Sequence, residues 1–370
     1  MENFKLATEL MILDGAEEFV STLLPSEKDL IITNAVIYDT HLASFGLKSR
    51  VVYQENYGAG EPSDKMINTI LKDVHDQEFQ RIFAIGGGTV IDVGKALSVA
   101  GVTDILDVLY GRLALKKGHE LIAVPTTCGT GSEVTNIAIL EDTTAHVKKG
   151  IVGPEIFPDK AVLVPAFLKG IPYKFFAFSS IDALIHAVES FVAPRSNQMT
   201  ELHAIKAMQQ IIGAYQEIVA AKGAIADELY RRVLLASTFA GIAFGNTGVG
   251  AVHAMSYPLG GKYHVAHGES NYAFLGVVLS KYEELNPTGR FVELRGLLAD
   301  ILGVKAQDAV TALADLLNNI IPLKRLREYG VQEAELGEFA QAAMAQERLM
   351  KNNYVPLSAE VVYDMFKSRF

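Results

Sequence analysis

Short apolar runs alternate with amphipathic stretches over roughly the first 165 residues of the chain. Five of the runs are rich in β-branched residues and predict strands, which cover residues 29–37, 49–55, 81–88, 120–127 and 160–165. Residues 62–76 and 89–101 carry instead the spacing of amphipathic helices. Strands that alternate with helices predict a mostly parallel sheet with helices on both faces.

After about residue 175 the strand-like runs give way to long segments with helical periodicity. These segments cover residues 200–222, 226–245, 306–320 and 333–350. The chain has 370 residues, which exceeds the size at which a single hydrophobic core stops growing. We therefore predict an α/β nucleotide-binding domain over residues 1–177 and an all-α domain over residues 178–370. A cleft between two such domains is the expected place for a ligand.

Charge and composition narrow the class of protein. The chain carries 43 acidic and 33 basic side chains, a formal charge of −10, which argues against non-specific binding to nucleic acid. The longest apolar run, residues 233–245, is shorter than the ~20 residues that a membrane helix needs, and the N-terminal segment lacks the apolar core of a secretory signal. The single cysteine, Cys128, cannot form an internal disulfide. We expect a cytoplasmic protein without a membrane span.

The stretch RIFAIGGGTVIDVGKA, residues 81–96, reads as a strand, three glycines and a helix. Glycines at 86–88 allow the backbone to approach a phosphate, and the N-terminus of the following helix offers free N–H groups to it. The dinucleotide fingerprint fails because Ile91 replaces its third glycine. The P-loop motif fails because Ala96 follows Lys95 where Ser or Thr is required. A flexible turn without a ligand is the alternative interpretation.

A second loop, VPTTCGTGSEVT at 124–135, follows another predicted strand. Its hydroxyl groups and glycines suit a ligand rich in oxygen, such as the ribose and pyrophosphate of a dinucleotide. Cys128 lies within this loop, but no base is adjacent to it in sequence, so we interpret it as a packed residue and not as a nucleophile.

Asp182 and His186 lie four residues apart in an apolar helical segment, which places them on one face of the helix. A hydrogen-bonded pair is the ordinary interpretation of such spacing. His253 and His267 favour a metal site over a simple hydrogen-bonded pair, because they flank a stretch that contains Pro258 and two glycines. One carboxylate and three imidazoles form a ligand set suited to Fe²⁺, Zn²⁺ or Mn²⁺. The sequence therefore predicts a metal site.

Four elements, in this order, resemble those of the iron-containing (group III) alcohol dehydrogenases: GGGTVIDVGKA, PTTCGTGSEVT, SSIDALIHAVES and HAMSYPLGGKYHVAHGESN. The resemblance implies a Rossmann-like α/β domain followed by an all-α metal-binding domain, the dehydroquinate synthase-like fold. It also implies that Asp182, His186, His253 and His267 hold the metal, which is Fe²⁺ with Zn²⁺ or Mn²⁺ as alternatives. A homodimer or higher homo-oligomer of the nucleotide domain is implied as well.

The nucleotide contacts of the family also carry over to positions of this chain. They fall on Gly86, Gly87, Gly88, Thr126, Thr127, Thr135 and Lys148, and the resemblance extends to Asp92 and Lys95. For the last two, a helix-stabilising pair is an equally good interpretation. The implied cofactor is NAD, with NADP not excluded.

Two positions depart from the family pattern. Tyr257 stands where many members carry a further histidine, so a proton relay or cofactor contact there would fall to Tyr257 or His264. Asn34 occupies the place of an acidic residue that would bond the ribose 2′-OH and repel a 2′-phosphate. The choice between NAD and NADP is therefore not fixed by charge at that position.

The expected reaction is the interconversion of a small primary alcohol and its aldehyde. Within the family the stretches CGTGSEVTN, LGGKYHVAHGESNY and RLMKNNYVPLS resemble members that act on 4-hydroxybutyrate, with succinate semialdehyde as the partner. The carboxylate of that substrate would require a cation, for which Lys262 and Arg195 are the candidates, although a surface side chain is an equally good interpretation of each. The alternatives are family members acting on 1,3-propanediol, lactaldehyde or butanol, and the zinc-dependent glycerol dehydrogenases. A phosphotransferase and a non-catalytic binding protein are rivals from other classes.

Overall fold

The computed structural model describes residues 3–145 and 147–370. The chain forms two compact units. The first spans Leu6–Ile171, and the second comprises Pro172–Phe370 together with residues 3–5. The units thus divide at Ile171, ahead of the domain boundary expected after residue 177.

A six-stranded sheet forms the centre of the first unit. Its strands are β1 (Glu9–Ile12), β2 (Asp29–Thr33), β3 (Arg50–Tyr53), β4 (Arg81–Gly86), β5 (Glu120–Pro125) and β8 (Lys160–Leu163). They lie in the order β1-β8-β5-β4-β2-β3, and every neighbouring pair is parallel. A separate antiparallel hairpin consists of β6 (Ile137–Asp142) and β7 (Val147–Val152).

Five helices accompany the sheet: α1 (Ala16–Leu23), α2 (Ala35–His41), α3 (Asp64–Val74), α4 (Gly88–Leu97) and α5 (Ile105–Leu109). Alternate residues of the central strands enter two different apolar cores. Ile82 and Ala84 of β4 pack in the core that contains α3 and α4, whereas Phe83 and Ile85 pack in the core that contains α1. The sheet is therefore covered on both faces, as the sequence pattern predicts.

The predicted strand at residues 29–37 is too long. β2 ends at Thr33 and α2 begins at Ala35, so the apolar residues Ile37 and Tyr38 pack against the core from a helix. A short apolar run does not distinguish a buried strand from one face of a helix, which explains the error.

The second unit is built from helices. They are α6 (Tyr173–Val192), α7 (Gln198–Ala220), α8 (Asp227–Thr247), α9 (Ala251–Tyr263), α10 (His267–Leu285), α11 (Arg290–Leu302), α12 (Ala309–Ile320), α13 (Leu336–Met344), α14 (Glu347–Met350) and α15 (Ala359–Arg369). The helix predicted at 333–350 is divided between α13 and α14. The predicted fold class, a parallel α/β domain and a helical domain, is confirmed.

α6 lies at the centre of the helical unit, where it packs against α7, α8 and α10. By length and composition it could span a membrane, but 89% of its most apolar stretch is buried inside the structure, as in the core helix of a globular domain. α8 and α9 meet the same criteria only as a pair bent by 104°. α6 is buried on nearly all sides, and polar residues are rarely buried in this way without a partner, so those in the interior of α6 require an explanation.

Candidate metal centre and nucleotide loops

Four side chains of the helical unit converge on one point. Asp182 and His186 lie one turn apart on α6, His253 lies in the first turn of α9, and His267 is the first residue of α10. One carboxylate oxygen and one ring nitrogen from each histidine all lie within 4.8 Å of one another. Asp182, His186 and His253 are buried, whereas the side chain of His267 is 37% exposed. The cluster is therefore accessible from the side of His267.

Close packing of α10 against α6 places His267 in the cluster. A Cβ atom at Gly268 would collide with the carbonyl oxygen of Phe178 on α6. Glycine is therefore required directly after His267, because a side chain there would push α10 away from α6.

Neighbouring polar groups orient the cluster. Nδ1 of His253 lies 2.6 Å from Oε2 of Glu189, and Oε1 of Glu189 accepts the backbone N–H of Val252 over 2.7 Å. Donation from Nδ1 to this carboxylate leaves Nε2 of His253 as an acceptor that faces the cluster. Asn271 donates to Oδ1 of Asp182 over 2.7 Å. Glu189 and Asn271 were not predicted, although they lie three and four residues after His186 and His267, on matching helix faces.

The carboxylate oxygen and ring nitrogens of this cluster lie close together, which favours the binding of a cation. Nε2 of His186 and Nε2 of His253 are 3.0 Å apart, and Oδ1 of Asp182 lies 3.8 Å from Nε2 of both His253 and His267. Burial raises the pKa of the Asp182 carboxyl group, but the charges of the three histidines and the hydrogen bond from Asn271 hold this pKa below its ordinary value. An ionised carboxylate with three imidazoles fits a divalent first-row metal.

His264 and Tyr257 lie outside this cluster. His264 ends α9 with a φ of 52°, and its side chain is exposed. Tyr257 is half-buried and packs against the apolar cluster of Val249, Ala254 and Leu349. A role for either residue in proton transfer stays a prediction from the sequence.

The glycine run lies in the first unit, at the carboxyl end of β4. The strand ends at Gly86, Gly87 precedes the helix, and α4 starts at Gly88. A Cβ atom at Gly88 would lie 2.6 Å from Cγ2 of Thr130, and one at Gly87 would lie 3.3 Å from Cγ2 of Thr127. The two predicted loops therefore contact each other, and the free N–H groups of α4 are at their junction.

Asp92 and Lys95 anchor the second loop from the inside. The Lys95 ammonium group is fully buried and donates to Ser132 Oγ (2.7 Å), Thr135 Oγ1 (3.0 Å) and the carbonyl oxygen of Ile137 (2.7 Å). Asp92 accepts the hydroxyl of Ser132 and lies 3.7 Å from Lys95. Burial lowers the pKa of Lys95 to about 8, against the opposing charge of Asp92. The structure thus directs these side chains towards the loop's interior.

The other predicted cofactor residues lie near the carboxyl edge of the sheet or in the hairpin. Thr126 is buried directly after β5, and its backbone N–H donates to the carbonyl oxygen of Gly86. Lys148 of β7 forms an ion pair with Glu61 at 2.8 Å. Asn34 precedes α2, and its side-chain amide donates to Glu55.

Protein-family models cover nearly the whole chain. The model described as iron-containing alcohol dehydrogenase matches residues 8–165, and the model described as the C-terminal part of the Fe-containing alcohol dehydrogenase family matches residues 176–370.

Individual proteins show the same likeness. The chain is 46% identical to 4-hydroxybutyrate dehydrogenase of Clostridium kluyveri, over 100% of both chains. It is 31% identical to long-chain-alcohol dehydrogenase 1 of Geobacillus thermodenitrificans, over 90% of this chain and 89% of the relative. A crystal structure of 1,3-propanediol oxidoreductase superposes with a TM-score of 0.87 at 25% identity and covers 100% of both chains.

Proposed function

The chain belongs to the iron-containing alcohol dehydrogenase family, as its four motifs predict, and we propose that it interconverts 4-hydroxybutyrate and succinate semialdehyde with NAD as the hydride carrier. The observation that carries the proposal is the convergence of Asp182, His186, His253 and His267 within one 4.8 Å cluster. The full-length 46% identity to a 4-hydroxybutyrate dehydrogenase supports the choice of substrate.

The four cluster residues would hold the metal, for which we propose Fe²⁺. When bound there, a divalent cation supplies Lewis acidity that lowers the pKa of an alcohol and polarises an aldehyde carbonyl. Glu189 keeps the Nε2 atom of His253 directed at the cluster, and Asn271 fixes the carboxylate of Asp182. The ring of Phe244 stacks on His186 at 4.1 Å between centroids, which shields that imidazole from water.

The first unit would bind the dinucleotide. The glycine turn at 86–88 allows the pyrophosphate to approach the backbone, and the N-terminus of α4 donates N–H groups to it. A nicotinamide dinucleotide held there would supply the hydride acceptor or donor, so the reaction would require no covalent intermediate with the protein. This agrees with our interpretation of Cys128 as a structural residue, since its side chain is fully buried.

Neither cation that the sequence suggests for the substrate carboxylate is free in the structure. Lys262 forms ion pairs with Glu335 at 2.8 Å and with Glu338 at 3.1 Å. The guanidinium group of Arg195 donates to the carbonyl oxygen of Thr247 over 3.0 Å. A carboxylate would have to compete with these partners.

Arg348 is a better candidate for the carboxylate. It lies on α14, where the next residue, Leu349, is buried against Val249 and Ala254, and Ala254 directly follows His253. Its side chain is exposed, and its guanidinium group makes no ion pair or hydrogen bond with the residues that the structure describes. Burial lowers the pKa of His253, the carboxylate of Glu189 raises it above its ordinary value, and the charge of Arg348 acts against that rise. An unpaired guanidinium near the cluster would suit the far end of a hydroxy acid.

We expect Arg348→Met to lower kcat/KM for 4-hydroxybutyrate by about 10- to 100-fold, the value of one hydrogen bond between charged groups. For 1-butanol, which has no carboxylate, kcat/KM should change by less than about twofold. Lys351→Met is the matched control, since Lys351 lies on the adjoining turn and pairs with Glu347. Equal efficiency of the unsubstituted enzyme on both substrates, or an equal loss on both in Arg348→Met, would contradict a carboxylate-binding role.

We also propose a homodimer that forms through the first unit. β1 lies at one edge of the six-stranded sheet, beside β8, and its Leu10 and Ile12 are 40% and 44% exposed. An exposed apolar edge strand is a template for pairing with another chain. Ile12→Lys should therefore shift the sedimentation coefficient from that of a dimer to that of a monomer, whereas Glu9→Lys should have a smaller effect. A monomeric unsubstituted protein would contradict this proposal.

A cytoplasmic location stays a prediction from the sequence.

A further inference from the structure

Asn34 and Glu55 meet at the carboxyl ends of two neighbouring strands. Thr33, the last residue of β2, is paired with Tyr53, the last residue of β3. Nδ2 of Asn34 donates to Oε2 of Glu55 over 2.9 Å, and the backbone N–H of Ala35 donates to Oε1 over 2.7 Å. The carboxylate of Glu55 is therefore fixed beside Asn34, although Glu55 is an exposed residue.

This pair lies at the same edge of the sheet as the glycine turn. β2 is hydrogen-bonded to β4 in parallel, and β4 leads into Gly86–Gly88. In dinucleotide-binding sheets, an acidic residue about 20 residues beyond the glycine turn bonds the ribose 2′-OH from the end of the adjoining strand. In this chain the adjoining strand is β2, and the residue at its end is the uncharged Asn34.

We propose that Glu55 supplies the negative charge that Asn34 lacks, and that the two residues together select NAD over NADP. The inference rests on the proposed function in so far as it requires a nicotinamide dinucleotide at the glycine turn. Nothing in the sequence pattern signals Glu55, because it follows the next strand, β3, and not β2.

The hydrogen bond between Asn34 and Glu55 explains how the two residues would recognise the ribose. Because Nδ2 of Asn34 points at Glu55, Oδ1 points away from it, and Oδ1 accepts no hydrogen bond from the residues that the structure describes. Oδ1 is therefore available to the hydrogen of a ribose 2′-OH. Glu55 acts as a positioning residue for Asn34 in this contact.

Charge explains why a 2′-phosphate would be rejected. A carboxylate offers about four lone-pair positions, of which Asn34 and Ala35 use two, so Glu55 retains capacity for a hydroxyl donor. Partial burial raises the pKa of Glu55, but the hydrogen bonds from Ala35 and Asn34 hold it below its ordinary value. Glu55 is thus ionised at neutral pH, and a phosphate beside it would suffer like-charge repulsion.

Fluorescence titrations with NADH and NADPH test this directly, because they measure binding without the need for an active substrate. The unsubstituted protein should bind NADH at least about tenfold more tightly than NADPH, since repulsion between close like charges exceeds the 1.4 kcal/mol that a tenfold difference requires. Glu55→Gln should reduce that ratio by at least about tenfold, mainly through tighter binding of NADPH. Glu55→Asp, which retains the charge, should preserve most of the preference.

Asp39→Asn is the matched control. Asp39 is an exposed carboxylate on α2, so its replacement removes the same charge from the same region and should leave the NADH-to-NADPH ratio within about twofold. An unchanged ratio in Glu55→Gln, equal effects of Glu55→Gln and Asp39→Asn, or equal binding of both dinucleotides by the unsubstituted protein would overturn the proposal. Absence of alcohol oxidation in a protein that binds NADH selectively would instead contradict the proposed function alone.

Discussion

Replacing His267 with alanine is expected to lower kcat/KM for alcohol oxidation by more than about 100-fold. Loss of a residue that only hydrogen-bonds a metal ligand costs up to about 100-fold, and loss of a ligand itself should cost more. His267 is one of the four residues whose donor atoms lie within 4.8 Å. Its partial exposure makes the substitution less disruptive to packing than removal of a buried ligand. Iron content after anaerobic loading, measured by mass spectrometry, should fall together with activity.

Two further variants make this expectation specific. His203→Ala removes a histidine of α7 that is outside the cluster, and it should retain full iron content and activity. Glu189→Gln keeps all four ligands but removes the charge that faces Nδ1 of His253, so metal affinity should fall by about 10- to 100-fold. Normal iron content with normal activity in His267→Ala would contradict the assigned ligand set.

Replacing Lys95 with methionine is expected to lower the free energy of unfolding of the first unit by about 3–5 kcal/mol, the cost of removing one partner of a buried ion pair. The substitution leaves Asp92 without its cation and removes the donor shared by Ser132, Thr135 and the carbonyl group of Ile137. Urea unfolding followed by circular dichroism measures the change.

A double variant separates the ion pair from general damage to the core. Asp92→Asn combined with Lys95→Met removes both charges, so it should recover part of the stability lost in Lys95→Met alone. Lys72→Met, on the last turn of α3, is the control for loss of a lysine and should change stability by less than about 0.5 kcal/mol. A loss below about 1 kcal/mol in Lys95→Met would show that the buried network does not hold the loop.

The cluster of four candidate metal ligands was predictable because its chemistry leaves short, specific motifs. Asp182 and His186 are spaced for one helix face, His253 and His267 flank a stretch with Pro258 and two glycines, and the resemblance implies all four as one ligand set. Glu189 continues that face of α6, so helical spacing alone could have identified it.

Contacts between distant segments were not predictable in the same way. Lys262 was one candidate for the substrate carboxylate, with a surface side chain as the alternative, and it is paired with Glu335 and Glu338, which lie more than 70 residues further along the chain. The contact of Asn34 with Glu55 depends on the parallel pairing of β2 and β3. Hydrophobic periodicity predicts that such strands exist, but it does not determine which side chains meet at their ends.

The central claim is that one divalent metal ion, bound by Asp182, His186, His253 and His267, serves the oxidation of the alcohol. Anomalous X-ray diffraction at the iron absorption edge, on crystals of active enzyme loaded with Fe²⁺, measures the position of that ion directly. The predicted result is a single strong peak between the Asp182 carboxylate and the three imidazoles. Iron at a different position in the active enzyme, with no peak at these four side chains, would contradict it.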